Sequence, residues 1–349
     1  MPAIAVERLS KVYRIPQKDP GLRGALKALV RPRYSDKVAV DGISFQIEPG
    51  EVVGYIGVNG AGKSPTIKML TGILAPSGGT VRVLGRDPHR ERVANARSIG
   101  VVFGQRTQMW WDLALHESLA LIAKIYEVPP ERYRALLARF SQTLELDELL
   151  KLPVRSMSLG QKMRAELAAT LIHEPTIVYL DEPTIGLDLL VKERIRAFIK
   201  EQNRELGTTV LLTTHDLGDI EELCRRVIII DGGRLIYDGP IATIKARFGR
   251  YRTISFETGA PIPAVLTLPP GVEATGREER RLVLRFNREL ASASQVAASL
   301  MAQVEVADFS ISEPDLAGIV KQIYAGGLAQ GGEAGEPEPA LDGASAARA

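Results

Sequence analysis

The residues with the clearest chemistry form one glycine-rich run, Gly57-Val58-Asn59-Gly60-Ala61-Gly62-Lys63-Ser64, with the pattern G-x-x-x-x-G-K-[ST]. Its glycines allow a tight turn in which consecutive backbone N–H groups converge on the phosphates of a nucleotide. Lys63 is placed to reach the β- and γ-phosphates, and the Ser64 hydroxyl is a ligand for Mg²⁺. A buried strand before the loop and a helix after it put the phosphates at a positive helix N-terminus. We therefore predict a nucleotide site here.

Two carboxylates and a histidine follow apolar strands further along the chain. Asp181 and Glu182 come after Ile177-Val178-Tyr179-Leu180, and His215 comes after Leu211-Leu212-Thr213-Thr214. The first carboxylate can hold Mg²⁺, and the second can orient or deprotonate an attacking water. Alone, such a pair is also typical of a turn at a sheet edge, and a single histidine is usually structural. The phosphate loop upstream favours the catalytic interpretation.

A second candidate anion site lies at Ser156-Met157-Ser158-Leu159-Gly160-Gln161, before an alanine-rich segment predicted to be helical over 162–172. A serine hydroxyl and the free N–H groups of a helix start can bind a phosphate. As a bare pattern this signal is weak, because serine caps many helices.

Composition excludes several classes of protein. The 349 residues carry a net charge of +2, which gives no overall attraction to nucleic acid, and a single cysteine, Cys224, cannot form an internal disulfide. No charged-then-apolar leader opens the chain, and no uncharged apolar run approaches the roughly 18 residues of a membrane helix. We expect a cytoplasmic protein that would need another chain to act on a membrane.

The pattern of strands and helices predicts an α/β fold. Short alternating segments near 3–9, 38–46 and 80–84 indicate antiparallel strands, whereas apolar strands separated by helices indicate a parallel sheet. A helical insert is predicted at about 106–160, with Pro129-Pro130 dividing its two helices. We expect one domain over 1–245, a small α+β domain over 250–325 and a disordered tail over 326–349.

The order of these motifs resembles the ATP-binding subunit of ABC transporters over about residues 3–240. The resemblance implies a P-loop NTPase core with an antiparallel β-subdomain, and ATP with Mg²⁺ as ligands. It also implies two partners: a transmembrane permease, and a second ATP-binding subunit, identical or different. In that family the S-x-G-Q loop of one subunit covers the γ-phosphate of ATP held by the other. Such a protein is peripheral on the cytoplasmic face of the membrane.

The resemblance also implies a role for each matching residue. Asp181 would hold Mg²⁺, Glu182 would be the catalytic base and His215 would bind the γ-phosphate. Tyr13 matches the aromatic residue that stacks on adenine, although it is also explained as an aromatic side chain on a strand face. The residues implied to act across the dimer are Ser158, Gly160, Gln161 and Asp188.

The sequence departs from the family pattern in three ways. Pro65 replaces the usual threonine and has no N–H, so we expect weaker nucleotide binding. In the segment that contains S-x-G-Q, which is the signature of the family, Met157 and Leu159 replace the usual leucine and first glycine, while Gly160 is retained. The glutamine that links nucleotide to the membrane partner is displaced by one residue, and we assign it as Gln105, which contacts the metal and assists catalysis.

Two further segments bear on the choice of partner. The insertion 16–38 contains six basic residues and one apolar helical face, which fits either a membrane-surface helix or a solvated excursion. Trp110 and Trp111 follow Gln105, and we expect them to contact the permease. The insertion, the segment Phe103-Gly104-Gln105-Arg106 and the segment Ser158-Leu159-Gly160-Gln161 resemble the ABC-2 type export branch, in which a small C-terminal domain also occurs. An importer subunit shares every catalytic residue and stays an alternative. A soluble non-transport ATPase is less favoured, because there is one phosphate loop and no long heptad run.

Overall fold

The computed structural model describes residues 1–17, 33–104, 107–248, 251–312 and 316–324. The chain divides into two compact units, Met1–Arg247 and Phe248–Ala349. Within the described ranges, none of the helices combines the length and the apolar character that a membrane span requires. The predicted tail over 326–349 lies outside the described residues.

The first unit contains two sheets and the helices that cover them. Its strands are β1 (Ile4–Gln17), β2 (Arg33–Ile47), β3 (Val52–Gly57), β4 (Gly78–Val83), β5 (Ile99–Phe103), β6 (Ile177–Asp181), β7 (Thr209–Thr213), β8 (Arg226–Asp231) and β9 (Arg234–Pro240). The helices up to the boundary between the units are α1 (Lys63–Leu70), α2 (Arg92–Ser98), α3 (Leu115–Ile125), α4 (Pro130–Leu144), α5 (Leu159–Leu171), α6 (Leu189–Leu206), α7 (Leu217–Leu223) and α8 (Ile241–Phe248).

The larger sheet has the strand order β5-β6-β7-β3-β8-β9, in which all pairs are parallel except β8 with β9. Its inner strands are almost continuously apolar and buried, as a sheet covered on both faces requires. The smaller sheet is antiparallel in the order β2-β1-β4. The predicted α/β class, with an antiparallel subdomain, is confirmed.

The hairpin of β1 and β2 is longer than the sequence suggested. The two strands stay paired as far as Gln17 and Arg33, so both ends of the predicted insertion are strand rather than helix. The proposed basic helix itself, residues 18–32, lies outside the described residues.

The helical insert is organised by a proline pair. Pro130 occupies the first position of α4, where its missing N–H removes no intrahelical hydrogen bond, and Pro129 is the residue that caps the helix. Phe140 of α4 contacts Phe198 of α6 edge-on, with the ring centroids 5.4 Å apart. This contact seats the insert on the parallel-sheet core.

The second unit is a small α+β fold. It contains β10 (Tyr251–Thr258), β11 (Val272–Arg277), β12 (Arg281–Asn287), β13 (Val306–Ser312), α9 (Ala293–Met301) and α10 (Leu316–Gln322). The antiparallel order is β11-β12-β10-β13, and the core includes Phe256, Phe286, Val296 and Leu300. The sequence indicated β10 and β12 but not β11 and β13, because the latter two carry few buried apolar residues.

One arginine joins the two sheets of the first unit. Arg226, at the start of β8, donates bidentately to Asp238 on β9 at 2.7 and 2.9 Å and to Glu51 beside β3 at 3.1 Å. It also donates to the carbonyl of Gln46 on β2 at 2.9 Å. These bonds connect β2 of the antiparallel sheet to the centre and the edge of the parallel one.

We expect Arg226→Met to lower the free energy of unfolding by about 2–4 kcal/mol, because it leaves two partly buried carboxylates without their shared partner. Urea unfolding followed by circular dichroism measures the change. The matched control is Arg234→Met, which breaks an exposed ion pair with Asp41 and is expected to change stability by less than about 1 kcal/mol. Equal effects of the two variants would contradict this assignment.

Candidate nucleotide site

The phosphate loop connects the central strand β3 to α1, and its glycines are required by the backbone. Gly60 and Gly62 have φ values of 84° and 109°, in the left-handed region. A Cβ on Gly62 would lie 2.5 Å from the carbonyl oxygen of Ala39, so no larger residue fits there. The helix begins at Lys63, three residues earlier than the sequence predicted, because Gly62 turns the chain directly into it.

The loop is also held from outside. A Cβ on Gly57 would lie 2.7 Å from the carbonyl oxygen of Ile230, so β3 and β8 approach closely where the loop starts. Ala61 is buried, and its carbonyl accepts a hydrogen bond of 3.0 Å from Gly233 in the turn between β8 and β9. The loop is therefore fixed by the sheet before any ligand arrives.

Lys63 lies buried beneath this loop. Its Nζ donates to the loop carbonyls of Gly57 and, at 3.3 Å, Val58. Burial lowers the pKa of the Lys63 ammonium, and the nearby carboxylates of Glu182 and Asp181 oppose that shift. The side chain is thus a preorganised cation whose present acceptors are oxygens of its own loop, a position from which phosphate oxygens can be contacted.

The strand ends bring the carboxylates and the histidine together. Asp181 and Thr213 are paired residues at the ends of β6 and β7, and the Thr213 hydroxyl donates to the Asp181 carboxylate at 2.5 Å. Glu182 has a φ of 57°, so the chain turns immediately after the strand. Its carboxylate lies 2.8 Å from Nε2 of His215.

A cleft of about 610 Å³ collects most of the predicted nucleotide contacts. The predicted residues that line it are Tyr13, Asn59, Gly60, Gly62, Lys63, Ser64, Pro65 and Glu182. Tyr13 is partly exposed at its mouth, and Lys11 lies over its ring at 5.4 Å. The cleft is wide enough for a nucleotide and has a phosphate-binding loop on one side and an aromatic ring on another.

The signature residues lie outside this cleft. Ser158 caps α5: its hydroxyl accepts from the Gln161 N–H at 3.3 Å, and the Gln161 side chain accepts from the Ser158 N–H at 2.8 Å. This capping box starts the helix at Leu159, so Gly160 lies in its first turn rather than before the helix. Asp188 caps α6, with its carboxylate accepting from the Val191 N–H at 2.9 Å. Gln105 lies outside the described residues.

Sequence patterns did not reveal the residues that join the loop after β6, which carries Glu182, to the loop after β7, which carries His215. Asp219 is fully buried on α7 and accepts hydrogen bonds from Thr184, after β6, and from Thr214, after β7, the latter at 3.4 Å. Arg196 of α6 donates to the same carboxylate at 2.7 Å. The sequence offers no signal for this group, since its members come from four separate segments and none belongs to a recognisable motif.

Comparison with known proteins identifies the family. The sequence matches the family described as ABC transporter over residues 40–185. The Nod factor export ATP-binding protein I of Paraburkholderia xenovorans (strain LB400) is 37% identical over 254 residues, which cover 70% of this chain and 80% of that protein. The chain belongs to the ATP-binding proteins of ABC transporters. Such proteins are ATPases coupled to transport, and their ATPase domain binds ATP.

Other members of the ABC family extend the similarity. The daunorubicin resistance ATP-binding protein DrrA3 of Streptomyces coeruleorubidus is 34% identical over 290 residues, 81% of this chain and 90% of that protein. The linearmycin resistance protein LnrL of Bacillus subtilis (strain 168) is 31% identical over 296 residues, 82% of this chain and 94% of that protein.

Solved structures agree on the fold. The ATP-binding subunit of an ABC transporter superposes with a TM-score of 0.59 at 25% identity, over 71% of this chain and 93% of that one. CbiO1 from Clostridium perfringens, part of the ABC transporter complex cbiONQ, superposes with a TM-score of 0.57 at 27% identity, over 70% of this chain and 91% of its own.

The residues present fit a magnesium ion that takes most of its ligands from elsewhere. Among the described residues there is no cluster of three or more histidine, cysteine, aspartate or glutamate side chains that would hold a metal alone. Ser64 is exposed in the first turn of α1, and the Asp181 carboxylate lies at the end of β6. A hydroxyl and a carboxylate suit Mg²⁺, which usually keeps several waters and phosphate oxygens as ligands.

Pro65 lies in the first turn of α1, where the helix itself needs no N–H donor, so the fold tolerates it. We expect Pro65→Thr to tighten ATP binding about tenfold, because it restores one N–H donor toward the phosphates, worth about 1.4 kcal/mol. Isothermal titration calorimetry measures the change. Pro65→Ala restores the N–H without a hydroxyl and should recover most of the gain. Affinities equal to wild type in both variants would contradict this assignment.

Proposed function

We propose that the chain binds and hydrolyses Mg²⁺–ATP in order to drive export through a separate transmembrane permease, on the cytoplasmic face of the membrane. The observation that carries the proposal is the meeting of three groups at one edge of the parallel sheet. They are the phosphate loop with Lys63, the carboxylates Asp181 and Glu182, and His215. Few other reactions need this combination of phosphate cradle, metal ligand and base.

Each residue of the proposed site then has a defined task. Lys63 and the N–H groups of residues 57–64 bind the phosphates, and Tyr13 stacks on the adenine ring. Ser64, Asp181 and Gln105 would hold the magnesium ion. When bound, that ion neutralises charge on the phosphates during transfer.

Glu182 is the proposed general base. It accepts the proton of the attacking water, and its contact with His215 fixes the carboxylate at the mouth of the cleft. His215 is assigned to the γ-phosphate, because its ring contacts the Glu182 carboxylate that lines the cleft. The Glu182 carboxylate contacts His215 whereas the Asp181 carboxylate accepts from Thr213, and these different partners suit one carboxylate to the water and the other to the metal.

A second ATP-binding subunit completes the site. Ser158, Gly160, Gln161 and Asp188 lie outside the cleft of their own chain, which is consistent with their acting on the ATP of a partner. An S-x-G-Q helix start supplies free N–H groups and a partial positive charge for that phosphate. ATP drives the cycle because it binds the closed dimer better than the open one.

The relatives support export as the direction of transport. One is named for Nod factor export, and two are named for resistance to daunorubicin and linearmycin. The similarity to the resistance proteins covers more than four fifths of the chain and therefore extends past Arg247 into the second unit. The relationship is thus not restricted to the catalytic residues that importers also share.

The permease contact is proposed at a second cleft, of about 630 Å³, whose lining includes Ile73, Val93, Tyr126 and Gln108. Val93 is 73% exposed and Ile73 53% exposed, and because both line one cleft they form a shared apolar surface of the kind that a partner covers. Trp110 and Trp111 are also exposed, at 40% and 58%. Adjacent aromatic residues usually divide between core and surface, whereas here both face outward.

We expect Val93→Asp to reduce export at least about tenfold in vesicles that contain the permease, because it places a charge in the permease contact. ATP hydrolysis by the isolated chain should stay within about twofold of wild type, since Val93 lies outside the ATP cleft. The matched control is Val265→Asp, which charges an exposed valine of the second unit, 86% exposed. Full export by Val93→Asp would contradict the contact, and import by wild type would contradict the direction.

A further inference from the structure

A buried carboxylate lies within the apolar stretch of α5. Glu166 is only 5% exposed, between Ala165 and Leu167. One carboxylate oxygen accepts from the Thr107 hydroxyl at 2.7 Å, and the other accepts from the Gln108 backbone N–H at 3.1 Å. Burial raises the pKa of the Glu166 carboxyl, and these hydrogen bonds partly oppose the shift. A buried carboxylate is tolerated only where such donors are provided.

Glu166 is the middle member of a row on one face of the helix. Lys162, Glu166 and Thr170 are four residues apart, so their side chains lie above one another. Lys162 lies over the ring of Trp111 at 4.9 Å, and Thr170 accepts from the Gln108 side-chain amide at 2.8 Å. Together these residues hold the segment 107–111, which we call the tryptophan loop, along more than two turns of α5.

The tryptophan loop is also ordered from within. The Thr107 hydroxyl donates to Glu166 and at the same time accepts from the Met109 N–H at 3.1 Å, and the Met109 side chain is buried. Thr107 therefore links the helix to the turn that presents Trp110 and Trp111. Removal of this one hydroxyl would release both contacts.

The two elements that Glu166 connects are assigned to different ATP molecules. The tryptophan loop follows Gln105, which is assigned to the ATP of its own subunit. Helix α5 is capped by Ser158, which is assigned to the ATP of the partner. We propose that Glu166 is a positioning residue that fastens the tryptophan loop to α5, so that the loop and the helix move together when ATP binds. The inference rests on the proposed function, and Glu166 itself touches neither nucleotide nor metal in it.

The chain contains its own reporter for this motion. Its two tryptophans are Trp110 and Trp111, so intrinsic fluorescence reports on the tryptophan loop alone. The full-length chain is titrated with a non-hydrolysable ATP analogue and Mg²⁺, and acrylamide quenching of the tryptophan emission is recorded. Calorimetry on the same samples measures nucleotide affinity, and thermal unfolding checks that each variant is folded.

Two variants break the connection and two preserve it. Thr107→Val and Glu166→Leu remove the hydrogen bonds with similar side-chain volumes. Thr107→Ser keeps the hydroxyl. Glu166→Gln keeps one acceptor oxygen and gains an amide NH₂ group that can donate a hydrogen bond to the Thr107 oxygen. A role in bulk packing alone would not separate valine from serine at position 107.

We expect wild type, Thr107→Ser and Glu166→Gln to change their quenching when the analogue binds. In Thr107→Val and Glu166→Leu the change should fall to less than about half, with affinity within about threefold of wild type. If Glu166→Leu fails to fold, the comparison of Thr107→Val with Thr107→Ser decides the matter. Equal responses in these two, or no response in nucleotide-bound wild type, would overturn the inference. Absence of nucleotide binding by wild type would instead overturn the proposed function, and the inference with it.

Discussion

The order of strands in the parallel sheet is the constraint on which the site depends. The proposed site needs backbone N–H groups and a lysine for the phosphates, and carboxylates for the metal and the water. These groups come from segments more than a hundred residues apart. Because β3 lies next to β7, and β7 next to β6, the chain leaves all three strands at one edge of the sheet. The phosphate loop, Asp181 and the Thr213 segment are brought together by that order, and no single motif places them there.

Around this edge the structure separates fixed parts from parts that can respond. The phosphate loop is fixed by Gly233, and the two catalytic loops are joined by the buried carboxylate of Asp219. Glu166 connects α5, the helix that Ser158 caps, to the tryptophan loop. This arrangement suits a protein in which ATP closes two subunits on each other. ATP must bind to a rigid phosphate loop, and its binding must move α5 and the tryptophan loop together.

Sequence alone predicted the fold class, the parallel core and the antiparallel subdomain, because apolar strands and glycine turns leave strong local patterns. It also named eight of the residues that line the cleft at the phosphate loop. It did not predict Thr213 or Asp219, whose roles depend on partners from distant segments. Nor did it predict β11 and β13, which bury few of their side chains. Glu166 had a signal that was overlooked, namely a charged residue inside an alanine-rich helical run. The start of α5 was misplaced because the Ser158 capping box takes Gly160 and Gln161 into the helix.

The central claim is that two copies of the chain enclose ATP between the phosphate loop of one copy and the S-x-G-Q helix start of the other. The most direct test is light scattering on the Glu182→Gln chain, whose monomer has a mass of 38.0 kDa, with and without Mg²⁺–ATP. The account predicts that saturating ATP converts this variant to a dimer, and that adding Ser158→Arg to it abolishes the dimer while leaving the fold intact. A folded Glu182→Gln chain that binds ATP and stays monomeric would contradict the account.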